Sequence, residues 1–266
     1  MDNKLALTEK GLMFHIKQYK MKRKLTFLSE TTSTNDVAKR LCNENKGVGT
    51  MVIADSQTEG RGRLSRSFCS PKGIGAYISI IYEVTGSEKS FDLLSSLAGL
   101  AVRDSLYNMF GLDCKIKWPN DIILNDKKLC GILCEIINVN NRPKYVSVGI
   151  GLNIESFEFP DELQYTAISI ADVYKGEIDH NELCIEIVNN LDRYVLRSKA
   201  LLNEENFEII NNLKKYSSVL DKMVRVVKPD EEFDARVLDL DKNGGLIIKT
   251  STETTTLTSG EVIHLR

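Results

Sequence analysis

The sequence predicts an α+β fold: a β-sheet flanked by helices, followed by a small C-terminal β-barrel. Three observations carry this. From about residue 25, short apolar strand segments alternate with amphipathic helical ones. After about Leu220 the pattern changes to five short β segments in under fifty residues. The chain has 266 residues, 42% of them hydrophobic and 27% charged, which suits one large domain with or without a small one.

Residues 1–24 are basic, with Leu12 and Ile16 at helical spacing, as expected of one helix or a frayed arm. "TFLSE" reads as a strand. "STNDVAKRL" follows, with Ser33 or Thr34 placed to cap a helix that carries Val37, Ala38 and Leu41. "GTMVIAD" and "IGAYISIIYEV" read as strands. "FDLLSSLAGLAVRDSLYNMF" is a helix with Leu94, Leu97, Ala98 and Ala101 on one face, stopped by Gly111. "KIKWPNDIILNDKKLCGILCEII" reads as strands separated by turns: Pro119 biases Trp118 toward extended geometry, and Asn120-Asp121 and Asn125-Asp126 supply turn chemistry. "YVSVGIGLNI" is another strand, and helices are expected near 181–198 and 204–215. The terminal segments "MVRVVKP", "FDARVLDLD", "GLIIKT", "TETTTLT" and "EVIHL" surround a turn at Asn243-Gly244-Gly245.

A net charge of −2 argues against broad adhesion to nucleic acid or membranes, so any anion site must be local. The six cysteines form no CxxC pair and no signal peptide is visible, which reads as reduced thiols in the cytoplasm. Cys130 and Cys134 have the spacing to face one another on a helix. With His15, His180 and His264 far apart in sequence, the pattern does not favour a zinc enzyme or a histidine triad. No apolar run approaches membrane-spanning length.

"TEGRGRLSRSF", Thr58–Phe68, is the chemically informative stretch. Gly60 and Gly62 permit close backbone approach and positive φ. Arg61, Arg63 and Arg66 add permanently charged planar donors suited to a carboxylate or phosphate. A tip this rich in Gly, Ser and Arg buries little and is expected to order on meeting its anion. The alternative is a solvated basic loop. There is no GxxxxGK[ST], and "GIGLNI" lacks the third glycine of GxGxxG.

"STN" at 33–35, "ADSQTEGRGRLSR" at 54–66, "KWPND" at 117–121, "KKLCGILCE" at 127–135 and "GIGLNI" at 149–154, with a terminal module ending "SGEVIHLR", stand in the order found in biotin protein ligases. Over residues 26–266 the chain resembles that family. The resemblance implies a mixed sheet with flanking helices at 25–218, a C-terminal SH3-like barrel at 219–266, and an arm or helix at 1–24. It implies ATP and biotin as substrates with Mg²⁺, a biotinyl-5′-AMP intermediate, and transfer to a lysine of a biotin carboxyl carrier protein of a carboxylase.

By resemblance, Ser33, Thr34, Asn35 and Gln57 would hold the ureido ring. Gly60, Arg61, Gly62 and Arg63 would close over biotin and its carboxylate, with Gly131 letting the strand backbone pass near the bicyclic ring. Arg63, Lys128 and Asp121 would be the catalytic residues, with Asp121 as the metal-side carboxylate. Arg63, Arg66, Phe68, Trp118, Asn120 and Asn153 would face the nucleotide. Plainer readings stay open: Ser33-Thr34-Asn35 as a helix cap, Lys128 as a surface lysine beside Lys127, and Trp118 as a core anchor. No base for deprotonating the carrier lysine stands out.

Two positions depart from the family's GRGRxGRxW: Ser65 replaces a glycine and Phe68 the tryptophan. Ser65 bears on loop flexibility; Phe68 can cover a ligand but lacks an indole N–H. Many bacterial relatives carry an N-terminal helix-turn-helix domain. Fewer than about 30 residues precede the catalytic part here, short of a usual domain, so no operator binding is expected. Family members can pair through sheet edges, and monomer and homodimer both stay open. The rivals are a lipoate or octanoyl ligase, whose RRxSGGG-type stretch is missing, and a non-catalytic biotin sensor.

Overall fold

The computed structural model describes residues 5–83, 93–200, 207–228 and 230–265, without the side chains of Ser65, Lys199, Ala200 and His264. Phe91 and Asp92, expected to open a helix, lie outside the described residues. The first segment settles as a helix rather than an arm. In α1 (Glu9–Gln18), the Thr8 hydroxyl accepts from Gly11 N, and Leu12, His15 and Ile16 are buried. It is fastened to α5 (His180–Ala200) by Asn181, whose Oδ1 accepts from Thr8 N at 2.8 Å and whose Nδ2 donates to Ala6 O at 2.9 Å.

The main sheet is mixed. β1 (Lys24–Leu28) runs parallel to β2 (Thr50–Ala54), the two being joined through α2 (Thr34–Asn43). The rest is antiparallel: β3 (Gly75–Glu83), β4 (Lys115–Lys117), β5 (Asp121–Leu124), β6 (Lys127–Val139) and β7 (Arg142–Asn153) complete seven strands in the order β1-β2-β3-β7-β6-β5-β4. Every residue of β2 is buried, as its unbroken apolar run requires. α3 (Leu94–Phe110) ends at Gly111, where φ is +70°. Cys130 and Cys134 share β6 rather than a helix.

α4 (Ile170–Val173) is a short turn that sequence periodicity did not reveal; a Ser169/Asp172 capping box starts it. After α6 (Phe207–Tyr216), β8 (Met223–Val227), β9 (Glu232–Leu240), β10 (Leu246–Lys249), β11 (Thr254–Leu257) and β12 (Glu261–His264) form a second, antiparallel sheet in the order β11-β10-β9-β8-β12. The Asn243-Gly244-Gly245 turn is made by Asp241, whose Oδ1 accepts from Asn243 N and Gly245 N, both at 2.8 Å, with Gly244 at φ +85°. Among the described residues no helix is long and apolar enough to cross a membrane.

One buried polar contact joins α5 to the sheet. Arg23 Nε donates to Asp192 Oδ2 at 2.7 Å, the Tyr82 hydroxyl donates to Asp192 Oδ1 at 2.7 Å, and the guanidinium lies 4.6 Å from the Tyr82 ring centroid. Burial pushes the Tyr82 hydroxyl well above its usual pKa. Asp192→Ala leaves Arg23 buried without its counter-charge. Because Asp192 itself is 33% exposed, the expected loss is about 2–3 kcal/mol in urea unfolding, below that of a fully buried pair.

Candidate active site

A cavity of about 260 Å³ opens where the N-terminus of α2, the loop after β2 and the β5–β6–β7 strands converge. It brings together Ser33, Thr34, Asn35, Gln57, Arg61, Gly62, Arg63, Arg66, Phe68, Asn120, Asp121, Lys128 and Gly131. Four residues expected at the site do not fit this pattern simply: Asn35, Gly60, Trp118 and Asn153.

At one end, α2 starts at Ser33, whose side chain makes no capping bond. The cap comes from afar: Gln57 Oε1 accepts from Thr34 N at 2.8 Å, while Gln57 Nε2 donates to Ser70 Oγ at 3.0 Å. Residues 33–35 line the cavity, and the helix start is capped by Gln57 rather than by their own side chains. Asn35 is already spoken for: its Oδ1 accepts from Ser79 Oγ (2.6 Å) and Ser147 Oγ (2.8 Å), and its Nδ2 donates to Glu135 Oε2 (2.6 Å) and Leu133 O (3.3 Å). With both lone pairs and both protons engaged, Asn35 fastens α2 to the sheet and orients its neighbours rather than offering free donors.

The floor is bare backbone. Gly131 on β6 stands directly opposite Gly151 on β7, and Gly149 follows on the same face. A Cβ on Gly151 would lie 2.5 Å from the Phe68 ring, and one on Gly149 2.9 Å from Asn35 Oδ1. Gly149 and Gly151 were not singled out from the sequence, although alternating glycines in "GIGLNI" on a strand mark a stripped face.

A one-residue bulge in β6 aims Lys128. The β5 register passes from Ile122↔Cys130 to Ile123↔Lys128, so the extra residue puts Lys128 on the face of Gly131. The Lys128 strand position is also tied to the loop beyond β7, with its N–H donating to Thr166 O at 2.7 Å. Its Nζ pairs with Asp121 Oδ1 at 2.8 Å and lies 6.0 Å from the Phe68 ring centroid. Lys128 is therefore neither free nor turned outward.

The Thr58–Phe68 loop is folded, in contrast to the expectation of a tip lacking its own order. Gly62 N donates to Arg66 O at 2.7 Å and Phe68 N to Gly60 O at 2.8 Å, bracketing a 3-10 turn at Arg63–Ser65. The left-handed residue is Leu64, at φ +52°, and neither Gly60 nor Gly62 has positive φ. Gly60 is needed for close approach, since a Cβ there would meet Phe68 O at 2.4 Å, whereas Gly62 has ordinary space. The side chain of Ser65 lies outside the described residues.

The three arginines are held differently. Arg61 pairs with Asp36 at 2.7 Å and Glu135 at 3.1 Å. Arg66 pairs with Glu261 of β12 at 2.9 Å, so the second sheet contributes to the first cavity. Arg63 donates to the amide oxygen of Asn120 at 3.3 Å, and among the described residues no carboxylate pairs with it. Burial lowers its pKa, partly offset by the fields of Glu261 and Asp121. Asn120 is fixed to β6 by Nδ2 donating to Ile132 O at 3.0 Å and by Ile132 N donating to Asn120 O at 2.8 Å. Below Arg63, burial pushes the Cys134 thiol up to about 12, leaving it neutral.

Trp118 lines neither this cavity nor its neighbour. It is buried and its Nε1 donates to Gly244 O at 3.0 Å, the core-anchor geometry. Its bond to Pro119 is cis. Asn153 is buried with Nδ2 donating to Ile168 O at 3.1 Å, and it borders an adjoining second cavity. Among the described residues no three carboxylate, imidazole or thiol groups gather as a metal cluster.

The arrangement combines a polar, amide-rich end, a glycine strand floor on which the Phe68 ring rests, and a cationic end with one carboxylate. Such a site can bind an apolar acid and stabilise negative charge that develops at its carboxylate.

Residues 27–153 match the biotin/lipoate A/B protein ligase family, and residues 219–265 match the biotin protein ligase C terminal domain. Over 188 residues the chain is 37% identical to the bifunctional ligase/repressor BirA of Bacillus subtilis, covering 68% of this chain and 58% of that one. It is 32% identical to the biotin--[acetyl-CoA-carboxylase] ligase of Paracoccus denitrificans, covering 70% of this chain and 77% of that one. Among solved structures it resembles biotin protein ligase from Aquifex aeolicus in complex with biotin and ATP, with a TM-score of 0.77, 27% identity and coverage of 92% of this chain and 99% of that one. The chain spans 58% of the length of the first BirA relatives it matches. With the glycine-floored cavity on the mixed sheet and the second sheet behind it, these likenesses place the chain in the biotin protein ligase family.

Proposed function

We propose that the chain is a biotin protein ligase that activates biotin with ATP and transfers it to a lysine of a carboxyl carrier domain. The observation that carries this is the placement of Arg63 and Lys128 at one end of a cavity whose other end is lined by Ser33, Thr34 and Gln57 and whose floor is Gly131, Gly149 and Gly151. Ser33 and the outer faces of Thr34 and Gln57 take the ureido group. The fused ring takes the place over the glycine strip that the Phe68 ring fills in this structure, so its binding requires Phe68 to move off the strip. Its carboxylate points toward Arg63 and Lys128.

In the first step, a carboxylate oxygen attacks the α-phosphorus of ATP and pyrophosphate leaves with the bonding pair, giving biotinyl-5′-AMP. Two anions must meet, so fixed cations lower the barrier. Lys128 is preset by Asp121, and Arg63 by Asn120. In the second step, the carrier amine attacks the acyl carbon and AMP leaves. The folded Arg61–Phe68 segment covers the anhydride against water. Asp121, at the rim shared by both cavities, fits a Mg²⁺ that takes one carboxylate and phosphate oxygens. That ion would neutralise phosphate charge.

The carrier is the biotin domain of a carboxylase, by analogy with the acetyl-CoA-carboxylase ligase of Paracoccus. Residues 25–218 form the catalytic unit and 219–266 an SH3-like unit. The described cysteines are all free, which suits the reducing cytoplasm. The reading calls for no nucleic acid, in keeping with a net charge of −2. Pairing of two copies through a sheet edge would not alter the site.

Avidin-detected transfer to a carrier domain with biotin, ATP and Mg²⁺ tests the proposal, with lipoate as the competing acid. No biotin transfer, or faster transfer of lipoate, refutes it. Arg63→Ala and Lys128→Ala should each slow adenylate formation about a hundredfold or more, as single lost transition-state donors do; full activity in both removes their charge role. Gly151→Ala raises the floor into the Phe68 ring, 2.5 Å away. Isothermal titration should show biotin binding weakened about tenfold to a hundredfold, the usual range for overpacking.

A further inference from the structure

The Phe68 ring rests on the glycine strip itself: a Cβ on Gly151 would lie 2.5 Å from it and one on Gly131 3.1 Å. A ring laid over strand glycines restores packing that their missing side chains leave open. Its backbone is held on both sides. Phe68 N donates to Gly60 O at 2.8 Å, and Phe68 O accepts from Ser70 Oγ at 2.9 Å. Ser70 Oγ in turn accepts from Gln57 Nε2 at 3.0 Å, and Gln57 caps α2. A Cβ on Gly60 would meet Phe68 O at 2.4 Å, so the two backbone segments pack as closely as glycine allows. The side chain is less confined. It is half-buried, and it borders the adjoining cavity of about 740 Å³ as well as the first. The ring can therefore leave the strip by turning about its own side-chain bonds while the main chain of the loop stays in place.

We propose that Phe68 is an intramolecular competitor for the biotin floor: its ring and the fused ring of biotin exclude each other from the strip over Gly131 and Gly151, and the side-chain rotation that clears the strip sets the affinity for biotin. This rests on the ligase reading and deepens it. Two groups cannot share the strip, since a single methyl group there already runs into the ring. Biotin binds only the fraction of molecules whose ring is turned away, so its apparent dissociation constant exceeds the intrinsic one by the reciprocal of that fraction. A ring that merely covered the bound ligand would act in the opposite direction, and its removal would weaken binding. The sign of the effect therefore separates a competitor from a cover.

Isothermal titration with biotin alone, without nucleotide, isolates the competition. Phe68→Ala should bind biotin about threefold to tenfold more tightly than the parent, because removing the competing state restores the binding-competent fraction. Phe68→Leu, with a smaller side chain over the strip, should fall between the two. In biotin-dependent exchange of labelled pyrophosphate into ATP, the KM for biotin should drop by the same factor in Phe68→Ala, with no rise in kcat. Leu64→Ala, which strips an exposed side chain from the same turn outside both cavities, should leave biotin affinity within about twofold of the parent. Equal or weaker biotin binding in Phe68→Ala overturns the competition. So does an equal gain in Leu64→Ala, which would mean a general loosening of the loop. Should the alanine variant fail to fold by circular dichroism, Phe68→Leu decides alone: tighter binding supports the competition, and equal or weaker binding overturns it. A parent protein that neither binds biotin nor performs the exchange refutes the ligase reading itself, a different result from an active parent whose Phe68 variants show no gain.

Discussion

The site depends on a strip of backbone that carries no side chains. Gly131, Gly149 and Gly151 share one face of the β6–β7 pair, and their missing Cβ atoms create the space above it. Two elements then settle into contact distance. Asn35 reaches Gly149 and is clasped by Ser79, Ser147, Leu133 and Glu135. Phe68 lies over Gly131 and Gly151. A methyl group on this strip would push back the helix start or the loop, the two parts that define the cavity's ends. A floor of strand backbone is also rigid, since its own N–H and C=O groups are used in the ladder.

Above that floor the charges are arranged unequally. Arg61 is shared by Asp36 and Glu135, Arg66 is countered by Glu261, and Lys128 by Asp121. Arg63 faces a neutral amide. Burial already disfavours its charged form, and the paired residues around it leave it as the cation with most to gain from an incoming anion. Pairing the other cations also keeps a cluster of like charges from unfolding the loop. One side of the cavity can therefore be strongly attractive while the chain as a whole stays near neutral.

Much of this was legible in residue order, and the reasons for the failures are specific. Strands and long helices declared themselves through period, and the motif series pointed to the right loop and strands because chemistry fixes both residue type and spacing. What sequence could not show was geometry set by the tertiary context. The β6 bulge that turns Lys128 inward leaves no mark in "NDKKLCG". The cap of α2 comes from Gln57, distant in sequence, so a local cap at Ser33 was expected in its place. Leu64, not a glycine, takes the left-handed conformation, because the 62–66 backbone bond and the anchored arginines hold the loop there. Trp118 could be read as a nucleotide contact or a core anchor, and only the Gly244 carbonyl distinguishes them. The glycines of "GIGLNI" are legible on strand alternation, whereas the motif series uses that segment for its place in the order and assigns a ligand contact only to Asn153.

The second sheet and the segment leading into it are fastened to the rest of the fold at several points. Trp118 Nε1 meets Gly244 O at 3.0 Å, Ser218 N meets Ile116 O at 2.9 Å, Lys214 Nζ at the end of α6 meets Asp239 of β9 at 2.8 Å, and Arg66 meets Glu261 at 2.9 Å. The first three flank β4 and the edge of the sheet; the fourth reaches the loop over the cavity. A rigid attachment on one side and an ion pair on the other make the second sheet a fixed post against which the loop is positioned. An exposed ion pair of this kind contributes little to stability, about 0–1 kcal/mol. Its consequence lies in geometry: the Arg66 side chain reaches Glu261 from the same turn that carries Arg63, whose backbone is closed by Gly62 N donating to Arg66 O. A strand more than a hundred residues away in sequence thereby meets the turn that carries the least compensated cation in the cavity.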